Sequence, residues 1–532
     1  MKNTIQNPVL RGFNPDPCIT RAGNDYYIAT STFEWFPGVQ IHHSRDLLHW
    51  RLLTRPLTRQ SQLDMRGTPD SGGVWAPALS YCDGLFYLIY TDVKTWGTGH
   101  RFKDTHNYLV TASDVMGPWS EPIYLNSSGF DPSLFHDDDG RKWFVNMLHD
   151  HRKGHSQFAG IVLQEYCPDR KKLVGPVENI FKGTEIGLVE GPHLYKKNGL
   201  YYLLTAEGGT TYEHASTVAR SETLAGPFEV HPNHPLVTSH GKPELDLQKA
   251  GHGSWVETQT GEWYLAHLCG RPLSTLGACN LGRETALQKL VWKAGWPQLE
   301  GGGNSPQKCV PAPNLPEHTF PAEPETDAFE EETLNIHWQS ARAPIDESWL
   351  SLKERPGFLR LYGRESLASR FDQSLIGRRL QAHYAEAETC LEFSPEHFQQ
   401  MAGLAAYYHT DNWVYLRVSR DEQLGKTLNI LTYENRQYDE PLDAEVPIGD
   451  AKRVYLRVTF AGATFHFEYA LEEQNWSRIG PDFDAARLSD DRCRGLSFTG
   501  TFIALCAQDL SGARQHADFG YFSYREKASQ DG

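Results

Sequence analysis

The chain has 532 residues, 39% of them hydrophobic and 22% charged, which excludes a disordered polymer and is too long for one ordinary core, so two globular domains are expected. A formal net charge of −16 with no clustered basic face argues against nucleic acid as a partner, and a neutral ligand is easier to accommodate. No apolar run of about eighteen residues is present to span a membrane, the N-terminus lacks an apolar leader core, and nine scattered cysteines without a Cys-x-x-Cys pair suggest neither a disulfide framework nor a zinc site, so a cytoplasmic, reduced protein is expected.

In chain order the first element is a phrase that recurs. Asp16-Pro-Cys-Ile19 leads through a turn at Gly23-Asn-Asp25 into Tyr26-Tyr-Ile28. Ala76-Pro-Ala-Leu79 leads through Asp83-Gly84 into Leu85-Phe-Tyr-Leu88, and Asp131-Pro-Ser-Leu134 through Asp139-Gly140 into Trp143-Phe-Val145. Glu190-Gly-Pro-His-Leu-Tyr195 turns at Asn198-Gly199 into Leu200-Tyr-Tyr-Leu-Leu204, and His252-Gly-Ser-Trp255 turns at Thr260-Gly261 into Trp263-Tyr-Leu265. Each copy reads as a strand, a tight turn and an aromatic strand. The marker positions Pro17, Pro77, Pro132, Pro192 and Gly253 are separated by 60, 55, 60 and 61 residues. A fixed period of this length predicts a propeller of five blades, with corresponding positions facing one another around the axis. Asp16, Asp131, Glu190 and His252 would then meet in one funnel. Like charges gathered in a half-dry pocket raise one another's pKa, the condition under which one carboxyl donates a proton while its neighbour accepts one.

Ser44–Trp50, Gly117–Trp119 and Gly226–Phe228 are expected to be outer strands, and Ala286–Trp292 is expected to close the ring against the first blade. We place the propeller at 1–310 and a Pro-rich linker at 311–326, following the Gly301-Gly-Gly-Asn-Ser-Pro306 stretch. A second domain, 327–532, shows alternating runs at Phe358–Tyr362, Gly403–Tyr408, Trp413–Val418, Val454–Phe460, Phe465–Tyr469 and Phe519–Tyr524, the pattern of a two-sheet β-sandwich. The fold class is therefore all-β.

Asn14-Pro-Asp16-Pro, Gly129-Phe-Asp131-Pro-Ser and Glu190-Gly-Pro-His-Leu-Tyr195, in that order, resemble the glycoside hydrolases of family 43, and most closely its two-domain β-xylosidases. Ser31–Gly38, Asp70–Pro77, Ala206–Tyr212, Leu281–Thr285, Phe358–Gly363 and Gln399–Leu404 extend the similarity over nearly the whole chain. The resemblance implies a five-bladed propeller followed by a concanavalin-like jelly roll. It implies removal of terminal xylose from short β-1,4-xylo-oligosaccharides with inversion, and α-L-arabinofuranosidase side activity. By carry-over Asp16 would be the general base, Glu190 the general acid, and Asp131 the residue that orients the acid and holds its pKa up. The segment between Arg271 and Leu281 is shorter than in those xylosidases, and the loop His149–His155 is unusual.

Each candidate has a blander reading. Asp-Pro and Glu-Gly also start ordinary turns, but three carboxylates in register at hairpin mouths favour chemistry. Phe33, Trp75, Trp35 and Phe36 are candidate sugar platforms that could instead pack between blades, and the resemblance favours Phe33 and Trp75 as pocket walls. Arg283 offers a fork of donors to sugar hydroxyls, or an ion pair with Glu284. Thr211 lies in a matching stretch. Phe498 and Phe502 are candidates to shut the pocket from the second domain, against ordinary strand alternation. His252 is expected to bind substrate. A lone histidine is a poor metal site, so no cofactor is expected, with Ca2+ in the propeller channel as the alternative that relatives suggest. His149, His151 and His155 read as a solvated loop. The expected partners are xylo-oligosaccharides or arabinosides, with no nucleic acid and no membrane, and the expected assembly is a homo-oligomer, a dimer or a tetramer. Three other readings stay open: an endo-arabinanase, a retaining fructosidase, which would show Asn-Asp-Pro-Asn where this chain has Asn-Pro-Asp-Pro, and a non-catalytic carbohydrate-binding protein.

Overall fold

In a computed structural model describing residues 4–97 and 101–528, the N-terminal half forms five four-stranded antiparallel layers. Cys18–Ala22, Asp25–Thr30, Gln40–Ser44 and Arg51–Thr54 make the first blade. Gly73–Cys82, Leu85–Thr95, Asp104–Ala112 and Ile123–Asn126 make the second, and Ser133–His136, Lys142–His149, Phe158–Cys167 and Lys172–Phe181 the third. Glu190–Lys197, Leu200–Glu207, Ala215–Ser221 and Glu229–Val230 form the fourth, with Val237–Thr238 added beside it. Gly253–Glu257, Trp263–Cys269, Glu284–Lys293 and Trp296–Leu299 form the fifth.

Middle strands such as Leu85–Thr95 are buried on both faces rather than alternating, because each blade packs between two others. Tyr27, Ala29 and Ile41 of the first blade meet Leu79, Leu88 and Val110 of the second. Ile19 and Ile28 meet Tyr264 and Leu287 across the closure of the ring. That closure is made by the N-terminal segment. Thr4–Gln6 pairs with Cys309–Pro311, Leu10 bridges Thr285, and the Asn7 side chain donates to the Leu287 carbonyl at 2.7 Å. Ala286–Trp292 therefore lies in the third strand of the fifth blade, with Trp296–Leu299 outside it. The expected outer strands are also shifted: Gly117–Trp119 and Gly226–Phe228 form no strand and follow turns closed by the Gly117 and Gly226 N–H groups, and Arg51–Thr54 rather than Ser44–Trp50 is the outer strand of the first blade. Glycine and proline at these points end strands more readily than they build them.

The C-terminal half is a two-sheet sandwich. Its strand His516–Glu526 is central, pairing with Leu359–Tyr362 and Tyr384–Phe393, while Phe502–Asp509 pairs with Ser374–Arg379 and Gln400–His409 in the other sheet. Ala385, Ala387, Leu391 and Phe393 alternate inward to meet Leu404, Leu416 and Ile430. The two halves are laced together. Trp35–Phe36, from a loop of the first blade, pairs with Gln339–Ala341 at the edge of the sandwich sheet. Residues 312–325 contain no strand, yet they lie fastened on the first blade, where the His318 N–H donates to Asp46 at 2.8 Å. No helix among the described residues is long and apolar enough to cross a membrane.

Candidate active site

The recurring phrase places its residues through backbone strain. Asp16, Ala76, Asp131 and Gly191 all precede a proline and all have positive φ, at 53°, 34°, 55° and 57°. A residue before proline is normally driven into extended backbone, and a left-handed non-glycine residue costs about 1–3 kcal/mol. Held at equivalent points of successive blades, that strain turns each inner strand at the mouth of the channel. In the fourth blade the strained position is Gly191, and the carboxylate sits one residue earlier, on Glu190. A Cβ at Gly191 would lie 3.0 Å from Cε1 and Nε2 of His252, so a side chain here would crowd that ring on a left-handed backbone that already disfavours one.

The three carboxylates converge. Asp16, 6% exposed, accepts from Ser31 Oγ at 2.6 Å and from Arg283 Nη1 at 3.0 Å. Ser31 Oγ in turn accepts the Ala76 N–H at 2.7 Å, so the carboxylate-free second blade still braces Asp16. Asp131, 7% exposed, accepts the Gly191 N–H at 3.0 Å. His252 Nδ1 stands 4.0 Å from both Asp16 Oδ1 and Asp131 Oδ2, and its backbone N–H donates to His214 Nε2 at 2.8 Å.

Burial first, and the negative charge of Asp16 second, push Glu190 from 4.5 up to about 7. Burial, followed by the charges of Glu190 and Asp16, also drives Asp131 well above the usual carboxylate range. Lys103 and Arg283 act against the rise at Glu190. Burial lowers His252, which favours a neutral imidazole. Glu190 and Asp131 are both driven toward their protonated forms beside Asp16, which is bonded to Arg283, and this equips the site with a donor and an acceptor.

These groups line a cavity of about 480 Å³. Its walls are Phe33, Trp75, Trp96, Phe130, Phe158 and Phe498. Phe33 lies 6.0 Å from Trp75 and 5.9 Å from Phe498, and Trp96 stacks on Phe498 at 5.0 Å. Arg283 completes the floor. Its Nη1 also donates to Thr210 at 2.9 Å, its Nη2 donates to the Phe498 carbonyl at 3.1 Å, and its Nε is buried without an acceptor.

Of the residues singled out from sequence, Asp16, Asp131, Glu190, Phe33, Trp75, Arg283, His252 and Thr211 all line this cavity. Thr211 lies exposed at its rim, bonded to Glu213 at 2.7 Å, whereas Thr210 makes the contact with Arg283. Phe502 does not belong there. It is fully buried, stacked on Trp35 at 3.6 Å between the two domains, and Phe498, four residues earlier in the same segment, reaches the pocket. Trp35 and Phe36 are likewise structural. Glu284 is taken by Arg271 at 2.6 and 2.7 Å, which leaves Arg283 to Asp16. In the unusual loop, His149 bonds the Arg101 carbonyl at 2.7 Å. The two carboxylate oxygens nearest His252 Nδ1, Asp16 Oδ1 and Asp131 Oδ2, accept from Arg283 and from the Gly191 N–H.

Sequence reasoning missed Lys103, Trp96 and Phe158. Lys103 Nζ lies 5.0 Å over Phe130 and 5.8 Å over Trp75. All three residues fall outside the repeated phrase. Phe130 stands within the quoted Gly129-Phe-Asp131, and its place beside the marker aspartate was the available signal.

Comparison with known proteins agrees with this geometry. The family model "Glycosyl hydrolases family 43" matches residues 5–297, and "Beta xylosidase C-terminal Concanavalin A-like domain" matches 326–525. A beta-xylosidase of Bacillus subtilis (strain 168) is 53% identical over 98% of this chain and 100% of its own length. Xylosidase/arabinosidase 43B of Humicola insolens is 51% identical over 98% of this chain and 97% of its own. The crystal structure of a xylan beta-1,4-xylosidase from Bacillus halodurans C-125 superposes with a TM-score of 0.97 at 60% identity, covering 98% of this chain and 100% of that one.

Proposed function

The chain belongs to glycosyl hydrolase family 43, and from that premise we propose that it is an exo-acting, inverting β-xylosidase that releases terminal xylose from β-1,4-xylo-oligosaccharides, with α-L-arabinofuranosidase activity at the same site. The observation that carries the reading is the convergence of Asp16 and a proton-holding Glu190 in one aromatic pocket. The names of two near relatives, a beta-xylosidase and a xylosidase/arabinosidase, support the substrate classes.

In this mechanism a terminal sugar lies against Phe33 and Trp75 with Arg283 at its hydroxyls. Asp16 accepts a proton from a water that attacks the anomeric carbon, while Glu190 delivers its proton to the departing glycosidic oxygen. One displacement inverts the centre, and inverting carboxyl pairs stand roughly 6.5–9.5 Å apart to admit that water. Asp131, tied to the Gly191 N–H, fixes the backbone that bears the acid. Phe498 and Leu496 wall the pocket from the second domain, which suits a chain end better than a chain interior. No step calls for a cofactor.

Proton NMR of xylobiose hydrolysis tests the mechanism: the α-anomer of xylose appears first if inversion holds, and first appearance of the β-anomer refutes it. Asp16→Ala should abolish turnover, and a near-normal rate refutes the assignment of the base. Nine free cysteines are consistent with work in the cytoplasm. A homo-oligomer, dimer or tetramer, is the assembly expected, and sedimentation measures it.

A further inference from the structure

A second, larger cavity of about 630 Å³ lies where the propeller meets the sandwich, and no residue lines both it and the aromatic pocket. Its walls bring Arg51 from the first blade together with Arg378 and Arg379 from the sandwich. Arg379 is 6% exposed. Its Nε donates to the Phe13 carbonyl at 2.8 Å, its guanidinium lies over Phe13 and Phe502, and its Nη2 is buried without an acceptor. Arg378 lies 4.9 Å over Tyr524 with its Nε also buried and unpartnered.

The carboxylates of the cavity wall hold other partners, although Glu323 and Glu526 also act at longer range on the charge of Arg378. Glu323 pairs with His337 at 2.8 Å, Glu325 with Arg525 at 3.3 Å and Glu526 with Arg11 at 2.5 Å. Among the described residues Arg51, Arg378 and Arg379 form no ion pair. Behind the wall a further unpaired guanidinium, Arg55, bonds the Gln40 side chain at 2.8 Å and adds its positive charge to that of Arg379. Burial acts against the charge of both Arg55 and Arg379. A guanidinium does not release its proton in a protein, so the penalty persists as an attraction for anions. Buried polar atoms without partners in a roomy cavity call for a ligand to satisfy them.

We propose that this interdomain cavity is an anion site, taking a compact oxyanion, a phosphate or a sugar carboxylate, between Arg51 of the propeller and Arg378 and Arg379 of the sandwich. The ligand would bridge the two domains through charge-assisted hydrogen bonds.

Isothermal titration of the full chain with inorganic phosphate and, separately, with D-glucuronate at constant ionic strength tests this. One saturable site is expected for at least one of the two, and which one responds identifies the source of the charge. Arg378→Gln and Arg51→Gln, both at partly open positions, should each weaken binding by about tenfold or more while leaving hydrolysis of nitrophenyl xyloside unchanged. No saturable heat with either anion overturns the proposal. So does binding that Arg378→Gln retains and xylose displaces, since that places the anion on Arg283. A rise in Tm that never saturates and is equal in all variants would be a general salt effect and would also overturn it.

Discussion

Replacing Glu190 by glutamine removes the proton donor while keeping its shape, and the structure fixes what the loss should look like. With a pKa of about 7 the native acid is about nine-tenths protonated at pH 6, where a glutamic acid at 4.5 would hold a proton about 3% of the time. Burial thus supplies roughly thirtyfold in competent enzyme before the proton moves. General acid catalysis itself contributes about 10²–10⁴-fold. Glu190→Gln should therefore lose about three orders of magnitude on xylobiose, whose departing hydroxyl needs the proton, and far less on 4-nitrophenyl xyloside, whose phenolate leaves unaided. The kcat/KM profile of the native enzyme should fall above about pH 7, and that limb should vanish in the variant. Equal losses on both substrates, or a limb unmoved in Glu190→Gln, would refute the assignment. The same substitution carries a stability signature of known sign. A carboxyl raised in the folded state contributes stability below its unfolded pKa that is lost as pH rises through the folded one, and the rise from 4.5 to about 7 is worth on the order of 3 kcal/mol. Glu190→Gln should thus melt above the native protein at pH 8 and draw level with it near pH 4.

Lys103→Met removes a cation that lowers the pKa of Glu190, so the alkaline limb should move upward, by about one pH unit, with the acidic limb in place; a downward move contradicts the electrostatics. Arg283→Lys keeps the charge but loses the fork to Asp16, Thr210 and the Phe498 carbonyl, and kcat/KM should fall by about 10²-fold with the fold intact by circular dichroism. Phe498→Ala opens the wall on Trp75 and Trp96 and should raise KM for xylobiose by about tenfold, with a smaller change in kcat. Gly191→Ala meets the His252 ring at 3.0 Å from a left-handed, pre-proline backbone, and should cost about 1–3 kcal/mol by denaturant titration along with most of the activity.

Two features were open to reading because each repeats. The marker phrase returns with every blade, so its carboxylates could be placed around one axis from spacing alone, and strand alternation in 327–532 exposed the sandwich faces. What escaped was set by contacts that have no period. Phe498 and Phe502 share a segment and a residue type, and only the stacking of Trp35 on Phe502 decides which of them is given to the domain interface. Lys103 comes from between two strands of the second blade, and nothing local marks it as a neighbour of Glu190 and Asp131. The part of the N-terminal segment in closing the ring escaped for a similar reason. Residues near Leu10 and Thr285 bridge across almost the whole propeller, and the pairing is invisible to any window of sequence.

The charge balance of the pocket connects the chemistry to the first property read from the chain. Asp16, Asp131 and Glu190 face Arg283 and Lys103, and His252 favours its neutral form. Burial and the charge of Asp16 oppose ionisation of Glu190, Lys103 and Arg283 favour it, and the rise to about 7 shows that the first two prevail. The chain's net charge of −16 disfavours an anionic ligand as well. A neutral sugar enters without disturbing that balance. By displacing water it deepens the burial that keeps Glu190 protonated, so that binding of the substrate itself helps to hold the proton in place until the glycosidic oxygen takes it.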